Sequence, residues 1–193
     1  MVRSKSRVRE LTIVCFMVTR PPIEPVRLVH EICLDALAGN KRSRTAQRFT
    51  PIQSTCYATL ADFRVMCEKV LGPIFNAENV DPIKYAIRPN VRDNQSMKRD
   101  LVIATVGSVI GRDHIVDLKN YDVLILVETV KNITGISVVR DFDKLKRFNV
   151  EQLYEQYQIT RDKQSGEKPK SEDKKDVNVV LNGEKEDENS AGD

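Results

Sequence analysis

Apolar and polar positions recur along this chain with two different periods, and the switches between them mark its elements. Leu11 to Val18 (LTIVCFMV) is a short run of β-favouring apolar residues, as expected of a strand covered on both faces. Thr-Arg-Pro-Pro ends it. From Pro25, suited to the first turn of a helix, Val26, Val29, Cys33 and Leu37 recur at helical spacing, and Gly39-Asn40 supplies the exit. Arg44 to Thr59 reads as extended chain bent at Pro51, because Ile52, Ser54, Cys56 and Ala58 alternate with polar neighbours. Thr59 and Asp62 have the capping-box spacing ahead of a helix that sets Leu60, Phe63, Cys67, Val70 and Leu71 on one side and is expected to stop at Gly72-Pro73.

The second half repeats the alternation. KYAIRPNVR sets Tyr85, Ile87 and Pro89 against Lys84, Ala86 and Arg88, a strand with one basic face that Pro89 confines to an edge or an end. Ser96 is expected to cap a helix carrying Val102, Val106 and Val109, closed by Gly111. After the connection VDLKNYD, Val123 to Val127 form a central strand, and Ile136 and Val138 continue as its neighbour beyond a turn near Asn132. Asn149 fits the N-cap of a last helix with Val150, Leu153, Tyr154 and Tyr157 on one side. Strands and helices mix throughout, so the class is α/β (α+β), a small mixed sheet with packed helices.

Charge divides the chain. The 193 residues carry a net +3, but residues 1 to 159 hold 24 basic against 18 acidic side chains, a net +6, and the remainder is acidic. Residues 1–10 read as a flexible basic arm and 159–193 as a disordered acidic tail, too poor in apolar residues to offset ordering. The longest apolar run, Ile13 to Val18, is far below the roughly 20 residues of a membrane span, so no membrane partner is expected. Cys15, Cys33, Cys56 and Cys67 lie far apart in apolar stretches and read as reduced, mostly buried thiols rather than a zinc site.

Gly-rich phosphate loops, metalloprotease helices and nucleophile elbows have no counterpart in the sequence, and its 8 glycines are not clustered. No cofactor and no catalytic residue is assigned. Positive charge instead comes in clusters: Lys41, Arg42, Arg44 and Arg48; Lys84, Arg88, Arg92, Lys98 and Arg99; and Arg140, Lys144, Lys146 and Arg147. The third is half neutralised by Asp141 and Asp143 and reads as a solvated helix face. In the second, Lys98 and Arg99 fall in a first helical turn, where free N–H groups repel cations and attract anions. A docked phosphate reverses that penalty. Asp93 and Asp100 offer local compensation as the alternative. Aromatic residues number 11 with no Trp; Tyr85 is the nearest stacking candidate and fits the core equally well. The residues point to nucleic-acid binding dominated by the backbone.

Five blocks then resemble, in order, the THUMP-domain adaptor proteins of tRNA cytidine acetylation: IEPVRLVHEI, RTAQRFTPIQSTCYATL, YAIRPNVRDN with SMKRDLVI, VDLKNYDVLILVE, and GISVVRDFDKLKRFNVEQLYE. The resemblance implies a partial ferredoxin-like half over 11–32, a THUMP domain over 33–140 and C-terminal helices over 141–158. It further implies a non-catalytic, monomeric tRNA-binding adaptor. Such a protein presents leucine and serine tRNAs to a separate RNA cytidine acetyltransferase, which uses acetyl-CoA and ATP to form N4-acetylcytidine. By matching position, Arg44, Arg48, Arg88, Arg92, Lys98, Arg99, Lys119 and Asn120 fall in the family's basic blocks, and Lys84 of the second basic cluster joins them as an RNA-binding candidate. The implied location is the nucleus or nucleolus, with the cytoplasm as alternative. The competing readings are a fragment of an RNA-modifying enzyme, in which THUMP leads a thiolase or methyltransferase domain, and a general RNA or protein interaction module.

Overall fold

In the computed structural model, which describes residues 15–78 and 81–165, five strands form one mixed sheet. Strands β1 (Ser54–Tyr57), β2 (Lys84–Arg92), β3 (Ile115–Val116), β4 (Val123–Val130) and β5 (Ile133–Val139) take the order β1-β5-β4-β2-β3. β2 runs parallel to β4 and β3, while β5 is antiparallel to β4 and β1. Helices α2 (Leu60–Phe75) and α3 (Arg99–Ile110) bury Phe63, Cys67, Leu71, Val102 and Val106 against Tyr85, Val123, Ile125 and Val127. On the opposite face α1 (Pro25–Leu37) and α4 (Val150–Ser165) bury Val29, Cys33 and Leu153 with Ala86, Leu124, Leu126 and Val139. Five consecutive buried residues in β4 are thus explained by helices on both sides.

Local chemistry sets the helix starts. Glu24 caps α1 by accepting from Val26 N at 3.1 Å and Arg27 N at 2.6 Å, and Thr59 Oγ1 accepts from Asp62 N at 3.1 Å. Asn149 Oδ1 accepts from Gln152 N at 3.1 Å, so Asn149 caps α4 as its position in the sequence suggests.

Several expectations need correction. Leu11 to Val14 lie outside the described residues; Cys15 to Val18 are not a strand, and Phe16 and Val18 are 72% and 88% exposed, because no described strand pairs with them. α2 does not stop at Gly72-Pro73: Pro73 sits in the last turn, where its missing N–H forfeits a single bond, and Phe75 is buried against Tyr85 and His114. Lys98, not Ser96, is the N-cap of α3. The connection VDLKNYD begins with Val116 of β3, which pairs with the start of β2. The boundary expected between 32 and 33 falls inside α1. α4 runs to Ser165, so residues 159–165 are helical rather than tail; Lys163 in the last turn suits the helix dipole. The basic arm 1–10 and the tail beyond 165 lie outside the described residues.

Candidate nucleic-acid interface

Lys84, Arg88, Asn90 and Arg92 alternate along one face of β2, and the strand places its ends about 26 Å apart at the usual rise. Past Tyr85 the outer edge of β2 has no partner strand among the described residues, which is where Pro89 is tolerated. Of the nine residues expected at the interface, Lys84, Arg88 and Arg92 share this strand.

At the far end of β2 the chain turns into α3. Asn94 Oδ1 accepts from Ser96 N at 2.9 Å, Met97 N at 2.8 Å and Ser96 Oγ at 3.0 Å, while Asn94 Nδ2 donates to Lys131 O at 2.6 Å. Met97 is fully buried, which anchors the turn. The helix then begins at Lys98 without a side-chain cap, leaving first-turn N–H groups without a partner among the described residues beside the exposed Lys98 and Arg99. Asp100 stands in the same turn. Arg92 is exposed at the end of β2. Arg48, exposed on the segment that bridges to Asn149, is close enough to act on the Glu128 carboxylate together with Arg92.

At the near end, Lys119 N and Asn120 N donate to Asp117 Oδ1 at 2.9 and 2.8 Å, an Asx turn that exposes both side chains. Those two bonds, then Lys84 and Lys119, hold the Asp117 carboxyl below its ordinary value. Lys84 itself is exposed, its backbone N–H donating to Asp122 Oδ2 at 3.1 Å. Arg44 is exposed beside a turn closed by Ser43 Oγ, which accepts from Ala46 N at 2.9 Å.

Arg88 is different in kind. Its guanidinium lies 5.0 Å over the Phe142 ring, and Nη1 is enclosed 3.6 Å from Asp143 Oδ1, an ion pair too long for a hydrogen bond. Asp143 also meets Arg147 Nε at 3.5 Å and accepts a short hydrogen bond from Tyr121 OH. The tyrosine bond, then Arg88 and Arg147, hold the Asp143 carboxyl below its ordinary value, while burial and Asp143 push Tyr121 up to about 12. Arg88 is thus part of an internal hub more than a free cation.

Pairing sorts the remaining cations. Lys41 and Arg42 are held by Glu151 and Asp35, and Lys144 by Asp141. Arg44, Arg48, Lys84, Arg92, Lys98, Arg99 and Lys119 make no ion pair among the described residues. Sequence reasoning missed the Asn90–Glu128 pair, in which Asn90 Nδ2 donates to Glu128 Oε2 at 2.7 Å. Its signal is one acidic residue interrupting the apolar run VLILVETV. Burial pushes the Glu128 carboxyl up against the pull of Asn90, Arg92 and Arg48.

Catalytic furniture is sparse. Among the described residues no three His, Cys, Asp or Glu side chains are grouped to hold a metal, and no helix is long and apolar enough to cross a membrane. His114 is structural: Nδ1 accepts from Ile83 N at 3.1 Å and Nε2 donates to Phe75 O at 2.7 Å. Cys33 and Cys67 are buried thiols, pushed by that burial up to about 11 and about 12.

Parts of this chain resemble known proteins. Residues 57–139 match the THUMP domain model. An uncharacterized protein of Schizosaccharomyces pombe is 36% identical over 90% of this chain and 60% of its own length. The tRNA acetyltransferase TAN1 of Saccharomyces cerevisiae is 37% identical over 74% of this chain and 53% of its own. THUMP domain-containing protein 1 of Mus musculus is 32% identical over 68% and 38%. The chain thus spans less than two thirds of the length of each. The solution structure of the THUMP domain of THUMP domain-containing protein 1 covers 42% of this chain and 84% of its own, at 28% identity and a TM-score of 0.37.

Proposed function

Because this chain belongs to the THUMP-domain family of tRNA acetylation, we propose that it binds tRNA and presents it to a separate RNA cytidine acetyltransferase, without an active site of its own. One observation supports the binding step above the others. The uncapped start of α3 carries Lys98 and Arg99, which make no ion pair among the described residues, an arrangement that costs stability in isolation and gains when a phosphate docks, and exposed Arg92 ends the strand that leads into it. Lys84, Lys119 and Asn120 at the other end of β2 form a second contact zone. A separation of about 26 Å suits a ligand that runs along its backbone past the edge of β2.

Leucine and serine tRNAs are the substrates in this reading, and the acetyltransferase supplies acetyl-CoA and ATP chemistry. The adaptor acts as a monomer in the nucleus. Filter binding of tRNA across a salt series tests the first step: the wild type gives a steep log-log slope, and Arg92→Ala/Lys98→Ala/Arg99→Ala flattens it. A slope near zero for the wild type, or no change in the triple variant, refutes it. Reconstitution tests the second step, because N4-acetylcytidine should form only with the acetyltransferase, acetyl-CoA and ATP all present.

The name of the Saccharomyces cerevisiae relative, tRNA acetyltransferase TAN1, favours a second reading, in which the catalytic step belongs to this chain. Acetylation of tRNA by the purified chain and acetyl-CoA alone would establish it.

A further inference from the structure

On a surface built to meet phosphates, a half-buried carboxylate is a liability unless the ligand brings it a hydrogen-bond donor. Glu128 of β4 stands directly opposite Asn90 of β2, on the sheet face whose other half is covered by α1 and α4. Asn90 Nδ2 donates to Glu128 Oε2 at 2.7 Å. Among the described residues neither Glu128 Oε1 nor Asn90 Oδ1 takes a hydrogen bond. The exposed Arg48 and Arg92 flank the carboxylate, and neither approaches closely enough to form an ion pair with it.

RNA offers donors of two kinds, base-edge N–H groups and the ribose 2′-hydroxyl. The pair presents two carboxylate oxygens and an amide in one row, more acceptors than a single hydroxyl can use. Guanine carries two adjacent donors, N1–H and the 2-amino group, that match the two oxygens of a carboxylate. The two flanking guanidinium groups are planar and stack on bases. In an A-form helix base edges are paired, so the base must come from a loop or single strand.

We infer that Glu128 and Asn90 form a base-reading centre within the RNA surface, taking the Watson–Crick edge of an unpaired guanine. This rests on the RNA-binding reading above and adds specificity to it. Arg48 and Arg92 hold the flanking phosphates or stack on the base, and Glu128 selects it.

Fluorescence anisotropy on the full chain tests this with five probes: a short oligouridine, the same strand with guanosines interspersed, its inosine counterpart, the DNA version of the guanosine strand, and oligothymidine. The guanosine strand should bind about 5-fold or more tighter than oligouridine, the lower end of what one two-pronged base contact supplies. Inosine, lacking the 2-amino group, should fall between them, and the DNA strand should keep its preference over oligothymidine. Glu128→Gln keeps the shape and the bond from Asn90. It should bring the guanosine-to-uridine ratio to about 1 while oligouridine binds as tightly as before or tighter, because a negative charge has gone. An unchanged ratio in Glu128→Gln overturns the inference, as does equal weakening on every strand, which marks a positioning role for Glu128. A preference present in RNA and lost in DNA overturns it in favour of the 2′-hydroxyl. Retained salt-dependent binding with unaltered base preference defeats this site alone; absence of salt-dependent binding defeats the whole RNA surface and this site with it.

Discussion

Removing cations at the start of α3 should separate affinity from stability in a direction that ordinary surface truncation does not. Lys98 and Arg99 sit on an uncapped helix N-terminus, where each cation costs a few tenths to about 1 kcal/mol. Lys98→Ala/Arg99→Ala therefore returns roughly 1 kcal/mol and raises Tm by about 2–4 °C for a chain of this size. The same change deletes two phosphate contacts, which lowers the salt slope of tRNA binding by about 1.5 and the affinity near physiological salt by about 10-fold. Arg88→Ala is the contrasting variant. It loses the stack on Phe142 and a half-exposed ion pair with Asp143, together about 1 kcal/mol, so Tm falls by about 2–4 °C while the slope moves by less than about 0.5. Differential scanning fluorimetry and filter binding on the same preparations give both quantities. A Lys98/Arg99 variant that melts lower with an unaltered slope would refute the anion-site argument. An Arg88 variant that loses a full unit of slope at unchanged Tm would refute the hub.

Asn94→Ala removes four hydrogen bonds that hold the β2–α3 turn, and urea unfolding should show a loss of about 2 kcal/mol. Asp143→Asn tests a pH dependence. The carboxyl lies below its ordinary value of 3.8 in the folded chain, so its contribution is full above that value and lost as pH falls from there through the lower folded-state value; the wild type should lose stability in acid more steeply than the variant. Arg147 has φ 58°, so Arg147→Gly should melt higher than Arg147→Ala by about 1 kcal/mol of relieved strain, and equal melting would count against the strain. A thiol reagent at neutral pH should label exposed Cys15 quickly and leave Cys33 and Cys67 unlabelled until the chain unfolds.

Much of this fold is legible in periodicity because burial on both faces leaves a plain trace, as in Val123 to Val127, and because caps such as Thr59 and Asn149 act within three residues. Pro89 marks an edge strand for the same local reason. What escapes is decided at a distance. Phe75 prolongs α2 past Pro73 because Tyr85 and His114 receive it. Asn94 shapes the entry to α3, so the hydroxyl of Ser96 is occupied with Asn94 and Ala58 rather than with a helix N–H. β3 has two residues, both exposed, and carries no apolar pattern to read. In the interface, the basic clusters are visible as counts, but Lys41 and Arg88 are paired by carboxylates brought from far along the chain. Arg88 looks equivalent to Arg92 on one strand face until Asp143 and Phe142 arrive from beyond β5.

The segment after β5 explains why that pairing is enforced. Lys146, Arg147 and Phe148 have φ of 50°, 58° and 57°, three consecutive left-handed residues without a glycine, each costing on the order of 1–2 kcal/mol. Such a turn persists only if its surroundings over-determine it. Phe142, Leu145 and Phe148 are buried on its inner side, with Phe142 and Phe148 edge to face at 5.1 Å, and Arg147 N donates to Phe142 O at 2.7 Å. Burial of two phenylalanines and a leucine, at about 1.5–3 kcal/mol each, is of the size needed to hold it. The result is that Asp143 is delivered to Arg88, Arg147 and Tyr121 at once. One acidic residue thereby engages Arg88 in the middle of β2 and Arg147 of the turn itself, while Lys84 and Arg92 at the strand's two ends make no ion pair among the described residues. The distribution of free cations, more than the net charge, is what this turn sets.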